Sequence, residues 1–170
     1  IPISQADAKY KRYIGNGAPK HFLSWSNNLT WRNFDLSVFF RGTFGFDVFN
    51  MRKYGMGLQG CGTDNVLRSA YLEDKNIRTG GGVISSYFLE DGSFIKLENV
   101  TLGYNFTPKN RKLLDNMRIY LSAKNLFTLT GYSGNDPSII DVNGIQPGVD
   151  SNSAYPTATQ LSLGVTLRFK

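Results

Sequence analysis

The chain has 170 residues, of which 41% are hydrophobic and 14% aromatic, with 18 glycines and a net charge of +6. No apolar run approaches the roughly 18 residues that a membrane-spanning helix requires, so a helical membrane protein is excluded. One cysteine and one histidine exclude an internal disulfide and most metal sites, so we expect no cofactor, and the scattered basic residues argue against a nucleic-acid partner.

The first predicted elements are two strands joined by a tight turn. In residues 22–31, most of the large apolar side chains share one parity, which is interrupted at Asn27. The same alternation runs through residues 34–46, and Arg32-Asn33 between the two segments is a two-residue turn candidate. The pattern predicts an antiparallel hairpin with one apolar face.

A long glycine-rich stretch follows the hairpin. Residues 47–86 lose the alternation, and only residues 65–74 suggest a short helix. Loops of this length are uncommon in compact soluble domains, whereas outer-membrane barrels carry long loops on the extracellular side. We therefore predict an outer loop here.

Three more strands complete the chain. Residues 94–106 alternate, but Lys96 and Glu98 share the apolar parity. Because lysine in lipid costs about 2–4 kcal/mol, we expect the apolar stripe to stop there and the strand to project beyond the lipid. Residues 117–124 form the fourth strand, between a connector and a second long loop at 127–158. Residues 159–169 alternate throughout and would climb about 25 Å at a tilt of about 45°, the height of the apolar band of a barrel.

The connections between these strands differ in length according to the side of the sheet. If the last strand ends in the periplasm, both long loops lie outside and both short connections lie inside, as in outer-membrane barrels. The predicted fold class is therefore all-β, with about five strands of a large antiparallel transmembrane β-barrel. Five strands cannot close such a barrel, and open edges leave backbone groups unpaired in lipid, so we expect a larger parent chain.

Four segments resemble the C-terminal end of the SusC/RagA family, the TonB-linked outer-membrane transporters of Bacteroidota. They span nearly the whole chain in the order and spacing of the family: residues 13–20 (YIGNGAPK), 33–42 (NFDLSVFFRG), 89–104 (LEDGSFIKLENVTLGY) and 121–137 (LSAKNLFTLTGYSGNDP). The resemblance implies that residues 1–170 are the C-terminal sector of a barrel of about 22 strands, with the plug domain and TonB box outside this chain.

The resemblance also implies a function and its partners. Family members import oligosaccharides or peptides across the outer membrane of Gram-negative bacteria. A SusD-like surface lipoprotein lids the barrel, and TonB opens the lumen by pulling on the plug. We therefore expect a TonB-dependent importer of glycan or peptide cargo, surrounded by outer-membrane lipid.

Three sets of residues are candidates for functional contacts. Aromatic residues at the predicted periplasmic strand ends are expected in the membrane girdle: Trp31, Phe34, Phe106 and Phe169. Basic residues of the polar parity are expected to face the lumen or plug: Arg41, Arg118, Lys124 and Arg168. Outer-loop residues are expected to contact the lid or cargo: Tyr132, Ser133, Gly134, Asn135 and Asp136, together with residues 55–64.

Other functions explain these features less well. Asp136 and nearby acidic residues offer oxygen ligands, but the spacing of a calcium loop is missing. A lone histidine leaves no base and orienting partner, so we expect no enzyme. A soluble, secreted glycan-binding β-sandwich would leave the one-sided loop lengths unexplained, and a passive porin would differ in lacking the plug.

Overall fold

The structure, a computed structural model, describes residues 12–57, 65–72, 84–108, 113–139, 147–151, 155 and 157–170. The long antiparallel sheet contains, in spatial order, β1 (His21–Trp31), β2 (Phe34–Phe44), β5 (Phe94–Phe106), β6 (Leu114–Thr130) and β8 (Gln160–Phe169). A small sheet contains β4 (Leu89–Asp91), β3 (Asp47–Asn50) and β7 (Val149–Asp150). The short helices are α1 (Met51–Met56), α2 (Ser69–Leu72) and two 3₁₀ turns, Ser86–Phe88 and Pro137–Ile139.

The five predicted strands are all present. Several of their boundaries differ from the prediction. The fourth strand, β6, begins at Leu114, three residues before its predicted start, and at two other boundaries residues with positive φ interrupt the alternation. Gly45 (φ 74°) ends β2 before residue 46, and Asn125 (φ 53°) lies in an irregular part of β6, beyond which the strand continues to Thr130. Within the described ranges, no helix is long and apolar enough to cross a membrane.

A β-bulge in β5 decides on which face Lys96 lies. The pairing with β2 passes from Asn99 to Leu97 and leaves Glu98 without a register partner on β2. The alternation changes parity at this extra residue. The apolar stripe therefore continues through Leu97 and Ile95, and Lys96 lies on the polar face. The expectation that the stripe stops here was wrong, because it assumed an uninterrupted period of two.

One face of the long sheet is apolar across all five strands. Five leucines, each paired with the next, cross it at one height: Leu29, Leu36, Leu102, Leu121 and Leu163. Aromatic contacts flank this row on both sides. The ring centroids of Phe34 and Tyr104 are 4.9 Å apart on one side, and those of Trp25 and Phe40 are 5.6 Å apart on the other. Leu163 is 75% exposed, so the face requires an apolar surrounding outside the sheet.

Both long connections leave the sheet at the same end, as the registers show. The small sheet stands at this end, because β3 follows β2 and β4 precedes β5. A core of Phe46, Val48, Phe94 and Tyr132 lies there. The stretches predicted as outer loops thus contain ordered elements, and α2 falls inside the helix predicted at residues 65–74.

Candidate functional site

The polar face of the long sheet carries paired charges. Asp35 on β2 accepts hydrogen bonds from the Arg118 guanidinium on β6 and, at 2.8 Å, from Asn105 on β5. Nearer the long connections, Arg41 Nε donates to Glu98 at 2.9 Å. Charges that are paired across strands are compatible with the polar interior of a barrel.

The other two basic residues predicted to face the lumen extend the same face. Lys124 is exposed and pairs in register with Asn99 and Gln160. The Arg168 side chain is 80% exposed and lies 3.8 Å from the Asp115 carboxylate. All four basic candidates therefore lie on the polar face, and contact with a plug stays a prediction.

The four aromatic girdle candidates lie on the apolar face near the short connections. Trp31 stacks on Phe34, with 6.5 Å between ring centroids. Their exposed fractions are 67% for Trp31, 43% for Phe34, 45% for Phe106 and 62% for Phe169. This placement fits an interfacial belt, and their contact with lipid headgroups stays a prediction.

At the opposite end, the Glu90 carboxylate on β4 joins three segments of the chain. The N–H and hydroxyl of Ser133 both donate to it at 2.8 Å, and Lys53 Nζ lies 3.2 Å away. Burial by itself raises the pKa of Glu90. The hydrogen bonds from Ser133 and the charge of Lys53 outweigh burial, and the pKa lies below its usual value of 4.5.

Asn50 connects this network to the start of α1. Its side-chain oxygen accepts the N–H of Lys53 at 2.8 Å and caps the helix. Its amide nitrogen donates to Ser133 Oγ at 3.3 Å. The cap therefore fixes α1, and with it Lys53, relative to Glu90.

Two of the predicted loop residues are buried. Tyr132 belongs to the small core, and its hydroxyl donates to Asp150 at 2.6 Å, so burial and then this hydrogen bond raise the pKa of Tyr132. Asp136 is 6% exposed. Burial raises the pKa of Asp136, but hydrogen bonds from Ser138 and Thr157 lower it further than burial raises it. Both side chains support the connection between β6 and β8 from within.

A cavity of ≈ 670 Å³ opens beside Glu90, and we call it the loop-end cavity. Its size lies within the range of roughly 300–1,000 Å³ that is typical of ligand pockets. At its rim, Arg52 Nη1 donates to Asn135 Oδ1 at 2.6 Å. The lining residues are Asn50, Arg52, Lys53, Leu67, Arg68, Glu90, Asp91, Gly131 and Ser133.

The loop-end cavity combines predicted and unpredicted residues. Ser133 lines the cavity and is exposed, Asn135 is exposed and binds the lining residue Arg52, and Gly134 is partly exposed. Of the predicted segment 55–64, residues 58–64 lie outside the described part of the chain. Glu90 and Lys53 were not predicted from the sequence, because no local pattern indicates a contact between residues 37 positions apart.

Metal binding receives no support from the described residues. No group of three or more histidine, cysteine, aspartate or glutamate side chains in these ranges is arranged to hold an ion. Asp136 and Asp150 are each engaged by hydroxyl donors. Asp141, one of the acidic residues near Asp136 in the sequence, lies outside the described residues.

The geometry defines a class of protein. An antiparallel sheet with one apolar face, one charge-paired face and long connections at one end has the architecture of a transmembrane β-barrel wall. No family model matches the chain. Its similarity to individual proteins is nevertheless extensive.

Among curated proteins, TonB-dependent receptors are similar to the chain. It is 28% identical over 188 residues to TonB-dependent receptor P3 of Formosa agariphila, covering 98% of this chain and 18% of the receptor. It is 28% identical over 153 residues to TonB-dependent receptor SusC of Bacteroides thetaiotaomicron, covering 85% of this chain and 14% of SusC. The named relatives are receptors rather than enzymes.

Among solved structures, the RagAB peptide importer has the same fold. In its closed-closed state the TM-score is 0.74 at 23% identity, covering 96% of this chain and 19% of that chain. In its open-open state the TM-score is 0.69 at 22% identity, with the same coverage. The chain thus resembles SusC/RagA-type TonB-dependent receptors, as its motifs predicted, and the predicted fold class is confirmed. It spans less than a fifth of the length of these relatives.

Proposed function

We propose that this chain is the C-terminal sector of a SusC-like, TonB-dependent importer in the outer membrane of a Gram-negative bacterium. The observation that carries the proposal is the two-faced sheet with both long connections at one end. Its fold matches that of RagAB over 96% of the chain. The similarity to SusC supports the same assignment.

In this proposal the sheet is a section of the barrel wall. The leucine row faces lipid, and the pair of Asp35 and Arg118 faces the lumen. The edge strands β1 and β8 pair with strands from the rest of the protein, because unpaired backbone groups in lipid cost several kcal/mol each. The remaining chain also supplies the plug on which TonB pulls.

The end with the long connections is the extracellular end, where a SusD-like lipoprotein closes over the barrel. The loop-end cavity and the exposed Ser133 and Asn135 lie there and contact the lid or the cargo. The cargo is an oligosaccharide, as the SusC-like resemblance implies, or a peptide, since the structurally similar RagAB is a peptide importer.

The test uses the full-length protein in its host. We expect detergent to be needed for extraction, co-purification of a surface lipoprotein, and uptake of a glycan or peptide that stops when TonB is removed. The double variant Arg52→Ala/Asn135→Ala should weaken lipoprotein capture or uptake, with the exposed Arg12→Ala as its control. TonB-independent uptake would favour a passive porin, and a protein soluble without detergent would overturn the proposal.

A further inference from the structure

We propose that Lys96 anchors the connection between β6 and β8, residues 131–159, to the sheet, so that the base of this connection moves with the barrel wall as one body. The anchor itself is independent of the transported cargo. Its consequence for uptake rests on the proposed function.

Lys96 occupies an unusual position for a lysine. It lies near the start of β5, in register with Arg41 on β2 and Thr128 on β6, and the bulge at Glu98 places it on the polar face. Its side chain is only 2% exposed. A buried ammonium is unfavourable unless charged and polar partners surround it. Its contacts therefore indicate what Lys96 does.

Among the described residues, the ammonium has three hydrogen-bond partners, and all of them belong to the connection. Lys96 Nζ donates to Asp136 Oδ2 at 3.3 Å and to Ser138 Oγ at 2.9 Å. Its third bond goes to Thr157 Oγ1 at 2.7 Å. An ammonium group has three donors, so each is used. One side chain of the wall thus holds both the beginning and the end of the connection.

Asp136 ties these two stems to each other. Its Oδ1 accepts the N–H of Ser138 at 2.8 Å, and its Oδ2 accepts the hydroxyl of Thr157, 21 residues further along the chain. Tyr132 adds a third attachment through Asp150. These contacts therefore close the base of the connection.

In this proposal the base of the connection is fixed to the sheet and does not move independently of it. Because Ser133 and Asn135 follow Tyr132 and precede Asp136, they stay in place relative to α1 and the loop-end cavity. Lys96 is a positioning residue in this scheme, since it acts through the connection and not on cargo directly.

Hydrogen–deuterium exchange of the full-length protein tests the anchor. The amides of Ser133 and Ser138 are hydrogen-bonded in this structure and report on the first stem. In Lys96→Met, we expect exchange in peptides covering 131–138 to rise by about tenfold or more, while peptides from β5 and β6 stay unchanged.

Two further variants complete the experiment. Arg41→Met is the matched control, because Arg41 is the register neighbour of Lys96 but its partner Glu98 lies on the wall; it should leave the stems unchanged. The single variant Lys96→Met leaves the buried Asp136 carboxylate without its ammonium partner and could therefore fail to fold. The double variant Lys96→Met/Asp136→Asn removes this charge and should fold, and we expect its stem amides still to exchange faster than in the wild type. The anchor would be overturned if the Ser133 and Ser138 amides exchanged at the wild-type rate in both Lys96 variants, or if these amides were unprotected in the wild type. Failure of TonB-dependent uptake in the wild type would overturn only the proposed function.

Discussion

Tyr120 on β6 lies across Gly164, its register partner on β8. A Cβ atom placed on Gly164 would lie 2.3 Å from Cζ of Tyr120. The same principle operates at Gly103, where a Cβ atom would lie 2.6 Å from the Asp35 carboxylate. Side chains that lie flat on the polar face thus require glycine at both positions.

Enlarging Gly164 should therefore destabilise the sheet. In Gly164→Val the Tyr120 ring must leave its position, and we expect a loss of about 1–3 kcal/mol in the free energy of unfolding. Denaturant unfolding of the full-length protein in detergent measures this loss. Gly131→Ala is the control, because nothing lies within 4 Å of a Cβ atom there. Equal stability of both variants would contradict the packing described here.

The pair of Asp35 and Arg118 should show measurable coupling. Their side chains are 26% and 32% exposed, so solvent weakens the pair without abolishing it. A double-mutant cycle with Asp35→Asn and Arg118→Gln should give a coupling free energy of about 1 kcal/mol. The pair of Asp115 and Arg168, with Arg168 80% exposed, should give a value near zero. Additive effects at Asp35 and Arg118 would show that the pair contributes nothing.

The free-energy cost of placing a charge on the apolar face should depend on its depth in the bilayer. Leu163 belongs to the central leucine row, and Leu163→Arg should cost about 2–4 kcal/mol in a bilayer. Trp31 lies near the short connections, and Trp31→Arg should cost only about 0–1 kcal/mol for its charge. Folding titrations in lipid vesicles compare the two. A larger loss for Trp31→Arg would place the membrane elsewhere on the sheet.

The contacts at the long-connection end should depend on pH. Folding lowers the pKa of Glu90 from 4.5 and that of Asp136 from 3.8. Their stabilisation is therefore complete above these values and is lost as the pH falls through the folded-state pKa of each group. Amide protection at Ser133 and Ser138 should decrease below about pH 4, as these carboxylates become protonated.

Glu90→Gln separates the two carboxylates. It should remove the pH dependence at Ser133, whose N–H is bound by Glu90, and leave that at Ser138, whose N–H is bound by Asp136. Hydrogen exchange expressed as protection factors at each pH measures both. If protection at Ser133 fell with decreasing pH as much in Glu90→Gln as in the wild type, the transition would belong to another titratable group.

The long sheet was largely predictable, and the candidate site was not. Alternation located all five strands, and Arg32-Asn33 was correctly identified as a turn, because both signals are local. Ser133 and Asn135 were predicted to contact the lid or cargo; the structure leaves both exposed, and the contact itself stays a prediction. Tyr132 and Asp136 belong to the same loop segment but are buried. Their burial was not predicted, because an aromatic or acidic loop residue gives no local indication of the core that covers it.

The sequence by itself determined which residues form strands and which face is apolar, because successive side chains of a strand alternate between its two faces. Only the tertiary structure decided the phase of that alternation in β5, where one unpaired residue, Glu98, places Lys96 on the polar face. It also decided the partners of Lys96 and Glu90, which lie between 37 and 61 residues away along the chain. Such contacts depend on how strands and connections meet in space, and no short-range pattern records them.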